Sequence, residues 1–137
     1  MAARRWHRER VPVRVLTVDD QPLFRDAARA VIAATPGFEP VAELPRGEDA
    51  LELLTQLHPD LVLVDVSLPG IDGLETSRRL AASAGAPLVV LISADDDPVV
   101  RESARDHGAA AFLSKQDLRP SALRTLWARF GAITPAG

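Results

Sequence analysis

Five short apolar runs punctuate this chain of 137 residues: Val13 to Val18, Val41 to Leu44, Leu61 to Val64, Leu88 to Ile92 and Ala110 to Leu113. Each is rich in Val, Leu or Ala and too short for a buried helix, so each reads as a strand covered on both faces. Amphipathic segments of helical length follow them: Pro22 to Ala34, Gly47 to Leu57, Leu74 to Ala84, Pro98 to His107 and Pro120 to Phe130. In the second of these, Ala50, Leu51, Leu53, Leu54 and Leu57 share one helical face, and Glu48, Asp49, Glu52 and Gln56 take the other. Strands that alternate with helices pair in parallel through right-handed crossovers, which place helices on both faces of the sheet. The expected fold is α/β: a doubly wound, five-stranded parallel sheet flanked by five helices.

Turn residues fall at the predicted boundaries, at Pro36-Gly37, Pro45, His58-Pro59, Pro69-Gly70 and Gly85-Ala86-Pro87. One domain over residues 12–131 accounts for the pattern. Residues 1–11 carry Arg4, Arg5, Arg8 and Arg10 around Trp6 and His7 without a helical or strand period, and read as a solvated basic tail. Residues 132–137 read as a short C-terminal tail, so no output domain is expected within this stretch, whether it acts alone or belongs to a longer regulator. A net charge of −3 argues against general nucleic-acid affinity. The absence of cysteine removes disulfides, thiolate metal sites and cysteine nucleophiles. No apolar stretch approaches a membrane span and no signal-peptide centre is visible, so a cytoplasmic location is expected.

Ligands of doubly wound sheets sit outside the carboxyl ends of the strands. Asp19 and Asp20 end the first strand, Asp65 ends the third, Ser93 follows the fourth and Lys115 the fifth, so all five converge on one edge. Three carboxylates held together repel, and either one protonates or a divalent cation sits among them. An all-oxygen donor set suits Mg²⁺, which keeps several waters and leaves room for phosphate oxygens. Such an arrangement supports phosphoryl transfer.

Each residue also has a plainer reading. Asp19-Asp20 could cap the helix that begins at Pro22. Asp65 resists such an account, because it ends a run of four apolar residues and a buried strand end seldom carries an unpaired charge. Lys115 is the only lysine, whereas the other fifteen of the sixteen Lys and Arg residues are arginine. A compact ammonium reaches one oxygen in a cleft too narrow for a planar guanidinium. Ser93 could cap the fourth helix, but Asp95, Asp96 and Asp97 lie nearer its start and free the Ser93 hydroxyl to face a phosphate. That Asp cluster reads as a solvated loop and cap. His7, His58 and His107 are scattered and show no catalytic pattern.

The strings VLTVDDQPLFR, LVLVDVSLPGIDGLE, VVLISADDD and AAAFLSK resemble the receiver domains of bacterial two-component response regulators, over about Val13 to Phe130. The resemblance implies the flavodoxin-like fold of five strand-helix units and a phosphorylation switch, not an enzyme acting on external substrates. It implies that Asp65 accepts a phosphoryl group from the phosphohistidine of a sensor histidine kinase or phosphotransfer protein, or from a small donor such as acetyl phosphate. It implies Mg²⁺ held by Asp20, by Asp19 largely through water, by Asp65 and by the Ser67 main-chain carbonyl. Lys115 and the Ser93 hydroxyl would bind phosphate oxygens. Ser93 would also be coupled to Phe112, whose inward turn marks activation and is read out on the fourth helix, fifth strand and fifth helix. A phosphorylation-dependent dimer and a downstream effector or output domain are the further partners implied.

Three positions depart from the commoner family pattern: Ser93 for threonine, Phe112 for tyrosine and Gln116 for proline. None removes a required chemical group, although Gln116 leaves the geometry after Lys115 open. Two other readings compete. One is a receiver-like interaction module that works without phosphorylation. The other is a Mg²⁺-dependent phosphatase with an aspartyl-phosphate intermediate, which lacks its second aspartate because Ser67 stands two residues after Asp65.

Overall fold

In the computed structural model, residues 11–131 are described. The basic stretch assigned to residues 1–11, save Val11, and the tail assigned to residues 132–137 lie outside them, as does His7. The strands are β1 (Val13–Val18), β2 (Phe38–Leu44), β3 (Leu61–Asp65), β4 (Leu88–Ser93) and β5 (Ala111–Ser114). The helices are α1 (Pro22–Ala33), α2 (Gly47–Leu57), α3 (Gly73–Ala81), α4 (Pro98–Ser103) and α5 (Pro120–Phe130), with 3₁₀ turns at Arg105–His107 and Lys115–Asp117. All strands pair in parallel in the order β2-β1-β3-β4-β5. The doubly wound sheet expected from the alternation is therefore present.

Alternation along the strands divides the core. Leu16, Val18, Val62, Val64 and Leu91 pack on the α2-α3-α4 side with Ala50, Leu54, Leu80 and Phe112. Val15, Leu61, Leu63, Val90 and Ile92 pack on the other side with Ile32 of α1 and Leu123 of α5. Fully burying one such aliphatic side chain stabilises the fold by about 1.5–3 kcal/mol, so the central strands hold the sheet together from both faces.

Most boundaries fall within a residue or so of the sequence expectation, and three differ by three residues or more. β2 begins at Phe38, not Val41, and so includes Pro40. It is an edge strand, where a missing N–H is tolerated, and the register slips from Val15↔Pro40 to Leu16↔Ala42 in a bulge at Val41. α3 stops at Ala81, where Ser83 donates both its N–H and its hydroxyl to the Leu80 carbonyl and closes the last turn. The segment from Pro98 to His107 is not one helix: α4 ends at Ser103, and the 3₁₀ turn that follows closes on Gly108 at φ 78°.

Among the described residues, no helix is long and apolar enough to cross a membrane.

Candidate functional site

The strand order reverses between β1 and β3, so their carboxyl ends flank the crevice where such sheets bind ligands. There Asp19 is fully buried, Asp65 is 4% exposed and Asp20 is exposed. One carboxylate oxygen from each lies within 4.8 Å of the other two. The Lys115 ammonium enters from the end of β5, 2.6 Å from Asp19 Oδ2 and 3.5 Å from Asp65 Oδ2. Four of the five residues expected at this edge thus meet. Ser93 ends β4 beside them, one residue past Ile92, which is the register partner of Asp65.

Electrostatics follow from the count of charges, three carboxylates against one ammonium. Burial first, and the nearby Asp19 carboxylate second, push the Asp65 carboxyl above its ordinary value. The Ser67 N–H and Lys115 oppose them without cancelling the shift. The Ser67 N–H donates to Asp65 Oδ1 at 3.2 Å, and the Gln21 N–H to Asp19 Oδ1 at 2.8 Å. Lys115 meets Asp19 Oδ2 as a charge contact, and this fully buried oxygen receives no hydrogen bond from the described residues. A buried carboxylate oxygen without a donor, facing two further carboxylates, fits a hard divalent cation. Ser67 itself is exposed, two residues beyond Asp65.

The capping alternatives resolve. Gln21, not an aspartate, occupies the N-cap of α1, and its side chain makes no capping bond. Asp97 caps α4 by accepting from Val99 and Val100, which leaves the Asp95 to Asp97 cluster as loop and cap. The buried Ser93 hydroxyl accepts from the Asp95 N–H at 3.2 Å. Phe112 is buried at 8% exposure, with the Arg101 guanidinium 4.7 Å above its ring. After Lys115 the chain makes a 3₁₀ turn through Gln116, and no cis peptide occurs among the described residues.

Several residues that shape the site were not singled out from sequence. The helical pattern puts Glu48 on the face away from the core, yet its carboxylate accepts from the Ile71 N–H at 3.2 Å and ties α2 to the loop after Asp65. Its carboxyl sits below the usual range because of hydrogen bonds from its own N–H and from Ile71. Gly73 packs so close to the Asp65 carbonyl that a Cβ would overlap it. Gln21 Oε1 accepts from Lys115 Nζ at 3.1 Å, and the Phe24 ring centroid lies 4.6 Å from the same nitrogen. No local period distinguishes these four, because each acts across the fold.

Fold and site together define a signalling receiver module, and comparison with known proteins agrees. Residues 15–126 match the model of the response regulator receiver domain, and the chain belongs to that family. It is 40% identical over 115 residues to protein-glutamate methylesterase/protein-glutamine glutaminase 5 of Myxococcus xanthus, which covers 83% of this chain and 32% of that protein. It is 33% identical to the nitrate/nitrite response regulator NarL of Escherichia coli, over 82% of this chain and 51% of that one. The receiver domain of the response regulator NarL from Mycobacterium tuberculosis superposes with a TM-score of 0.78 at 33% identity, covering 86% of this chain and 95% of that chain. The chain spans about a third to a half of the length of these two curated relatives. Receiver domains are phosphorylation-activated switches that bind Mg²⁺ at an acidic cluster and take phosphate from histidine kinases or phosphotransfer proteins.

Proposed function

We propose that Asp65 is the phosphoacceptor of this receiver and that Asp19, Asp20, Asp65 and the Ser67 carbonyl hold its Mg²⁺. The observation that carries this reading is the meeting of three carboxylates within 4.8 Å with the ammonium of the chain's single lysine, at the carboxyl ends of β1, β3 and β5. An Asp65 carboxylate oxygen attacks the phosphorus of a phosphohistidine, the N–P bond breaks, and an acyl phosphate remains on Asp65. When bound, the cation neutralises charge on the phosphoryl oxygens and on the carboxylates that surround them.

The rest is done by side chains of this chain. Burial leaves Asp65 poorly solvated, so its nucleophilic oxygen has little water to shed. Lys115 donates to phosphoryl oxygens as charge spreads over them. The Ser93 hydroxyl, now accepting from Asp95, turns to donate to the phosphate. Phe112 lies in the same layer as α4, so movement at Ser93 reaches the face formed by α4, β5 and α5, where Val99 is 75% exposed. Leu23, 84% exposed on the first turn of α1, offers apolar contact to a donor protein approaching the site.

Intact-mass measurement with Mg²⁺ and acetyl phosphate tests the reading. One phosphoryl adduct is expected, absent in Asp65→Asn. Lys115→Arg is expected to fold yet take up phosphate at least tenfold more slowly, since a guanidinium cannot occupy the ammonium's place. An unchanged adduct in Asp65→Asn sinks the assignment. No adduct in wild type that binds Mg²⁺ points to a module that works without phosphorylation.

A further inference from the structure

We infer that Gln21 is a positioning residue for Lys115, so that the first turn of α1 sets how the ammonium meets a phosphoryl group on Asp65. The inference rests on the phosphoryl-acceptor reading of Asp65.

An ammonium carries three N–H donors on a flexible stem, and its usefulness at a phosphate depends on where they point. Around Lys115 Nζ stand Asp19 Oδ2 at 2.6 Å, Gln21 Oε1 at 3.1 Å and Asp65 Oδ2 at 3.5 Å. The Phe24 ring covers the group with its centroid 4.6 Å away. Asp19 and Gln21 engage the ammonium closely, and the loosest contact runs toward Asp65, where phosphoryl oxygens would arrive. Gln21 and Asp19 also form one unit. The Gln21 N–H donates to Asp19 Oδ1 at 2.8 Å, and Arg25 Nη1 donates to the Asp19 carbonyl at 2.7 Å.

The chemistry of an amide suits this task. Gln21 Oε1 offers an acceptor without adding a fourth negative charge to a cluster that already holds three. Its side chain makes no capping bond to α1, and among the described residues its one side-chain hydrogen bond is the one from Lys115. Losing the acceptor frees the ammonium to rotate and turns a preorganised donor into one that must be ordered during the reaction.

Lys115 is the chain's only lysine, so lysine labelled with ¹⁵N at the side chain reports a single Nζ signal. We would compare wild type with Gln21→Met, which keeps the length and loses the acceptor, and with Gln21→Glu, which keeps both. The amide spectrum verifies folding, and intact mass follows the phosphoryl uptake rate from acetyl phosphate with Mg²⁺. Expected are a resolved Nζ signal in wild type and in Gln21→Glu, and its exchange broadening in Gln21→Met. Uptake by Gln21→Met should fall about tenfold. A sharp, unshifted Nζ signal in Gln21→Met overturns the inference, whatever the uptake rate. So does wild-type uptake in Gln21→Met, or a Gln21→Glu signal as broad as that of Gln21→Met. Absence of any adduct in wild type sinks the phosphoacceptor reading instead, and the Nζ comparison still decides whether Gln21 holds the lysine.

Discussion

Thr17 lies fully buried in β1, two residues before Asp19, and its hydroxyl has no hydrogen-bond partner among the described residues. A buried hydroxyl without a partner retains its desolvation cost. Thr17→Val should therefore raise the urea midpoint, by about 1 kcal/mol of stability at unchanged m-value. A lowered midpoint would mean that the hydroxyl is satisfied, for example by a water. Glu75 on α3 is the opposite case, because side-chain hydrogen bonds from Arg78 and then Arg79 pull its carboxyl down to about 2. A carboxyl lowered on folding adds stability above its ordinary value of 4.5, and that contribution fades as pH falls toward about 2. The cluster is open to solvent, so salt screens it. A carboxyl ¹³C titration of Glu75 should give a midpoint near 2 at low salt and a higher one at high salt; a midpoint of 4.5 at low salt refutes the ion pairing.

At the scale of elements, the junction between β3 and α3 decides where the Asp65 main chain sits. The Gly73 N–H donates to the Val66 carbonyl at 3.1 Å, and Asp72 caps α3 by accepting from the Glu75 N–H at 2.8 Å. Gly73→Ala would drive a methyl group into the Asp65 carbonyl. Overpacking against main chain that cannot yield should cost about 2 kcal/mol or more. It should also slow phosphoryl uptake, as the nucleophile moves with its backbone. Urea unfolding and an uptake time course check both, and a variant with the wild-type midpoint shows that α3 can slide to make room.

At the scale of the molecule, the site opposes the stability of the fold it sits on. Asp65 has a raised carboxyl, so a proton binds the folded state more tightly than the unfolded one. That contribution is present below the ordinary value of 3.8 and is lost as pH rises through the raised one, so at neutral pH the charge weakens the fold. Without Mg²⁺, Asp65→Asn should melt higher than wild type. Mg²⁺ at 100 times its Kd should stabilise wild type by about 2.7 kcal/mol. The variant should gain less, having lost a ligand. Thermal melts with EDTA or Mg²⁺ check this, and equal gains in both proteins would remove Asp65 from the metal site.

What the sequence determined by itself is whatever depends on neighbours along the chain. Short apolar runs alternating with amphipathic helices could be satisfied by a doubly wound sheet, and strand ends marked by Asp19, Asp20, Asp65, Ser93 and Lys115 showed which edge carries polar chemistry. Tertiary structure alone decided the rest. The presence of Pro40 within β2 depends on that strand being at the edge, and edge position belongs to the sheet. Glu48 reaches Ile71 from 23 residues away, and Gln21 reaches Lys115 from 94. Periodicity records which face of an element is buried; it holds no record of which distant side chain will stand opposite, because that is set only when the helices close over the sheet.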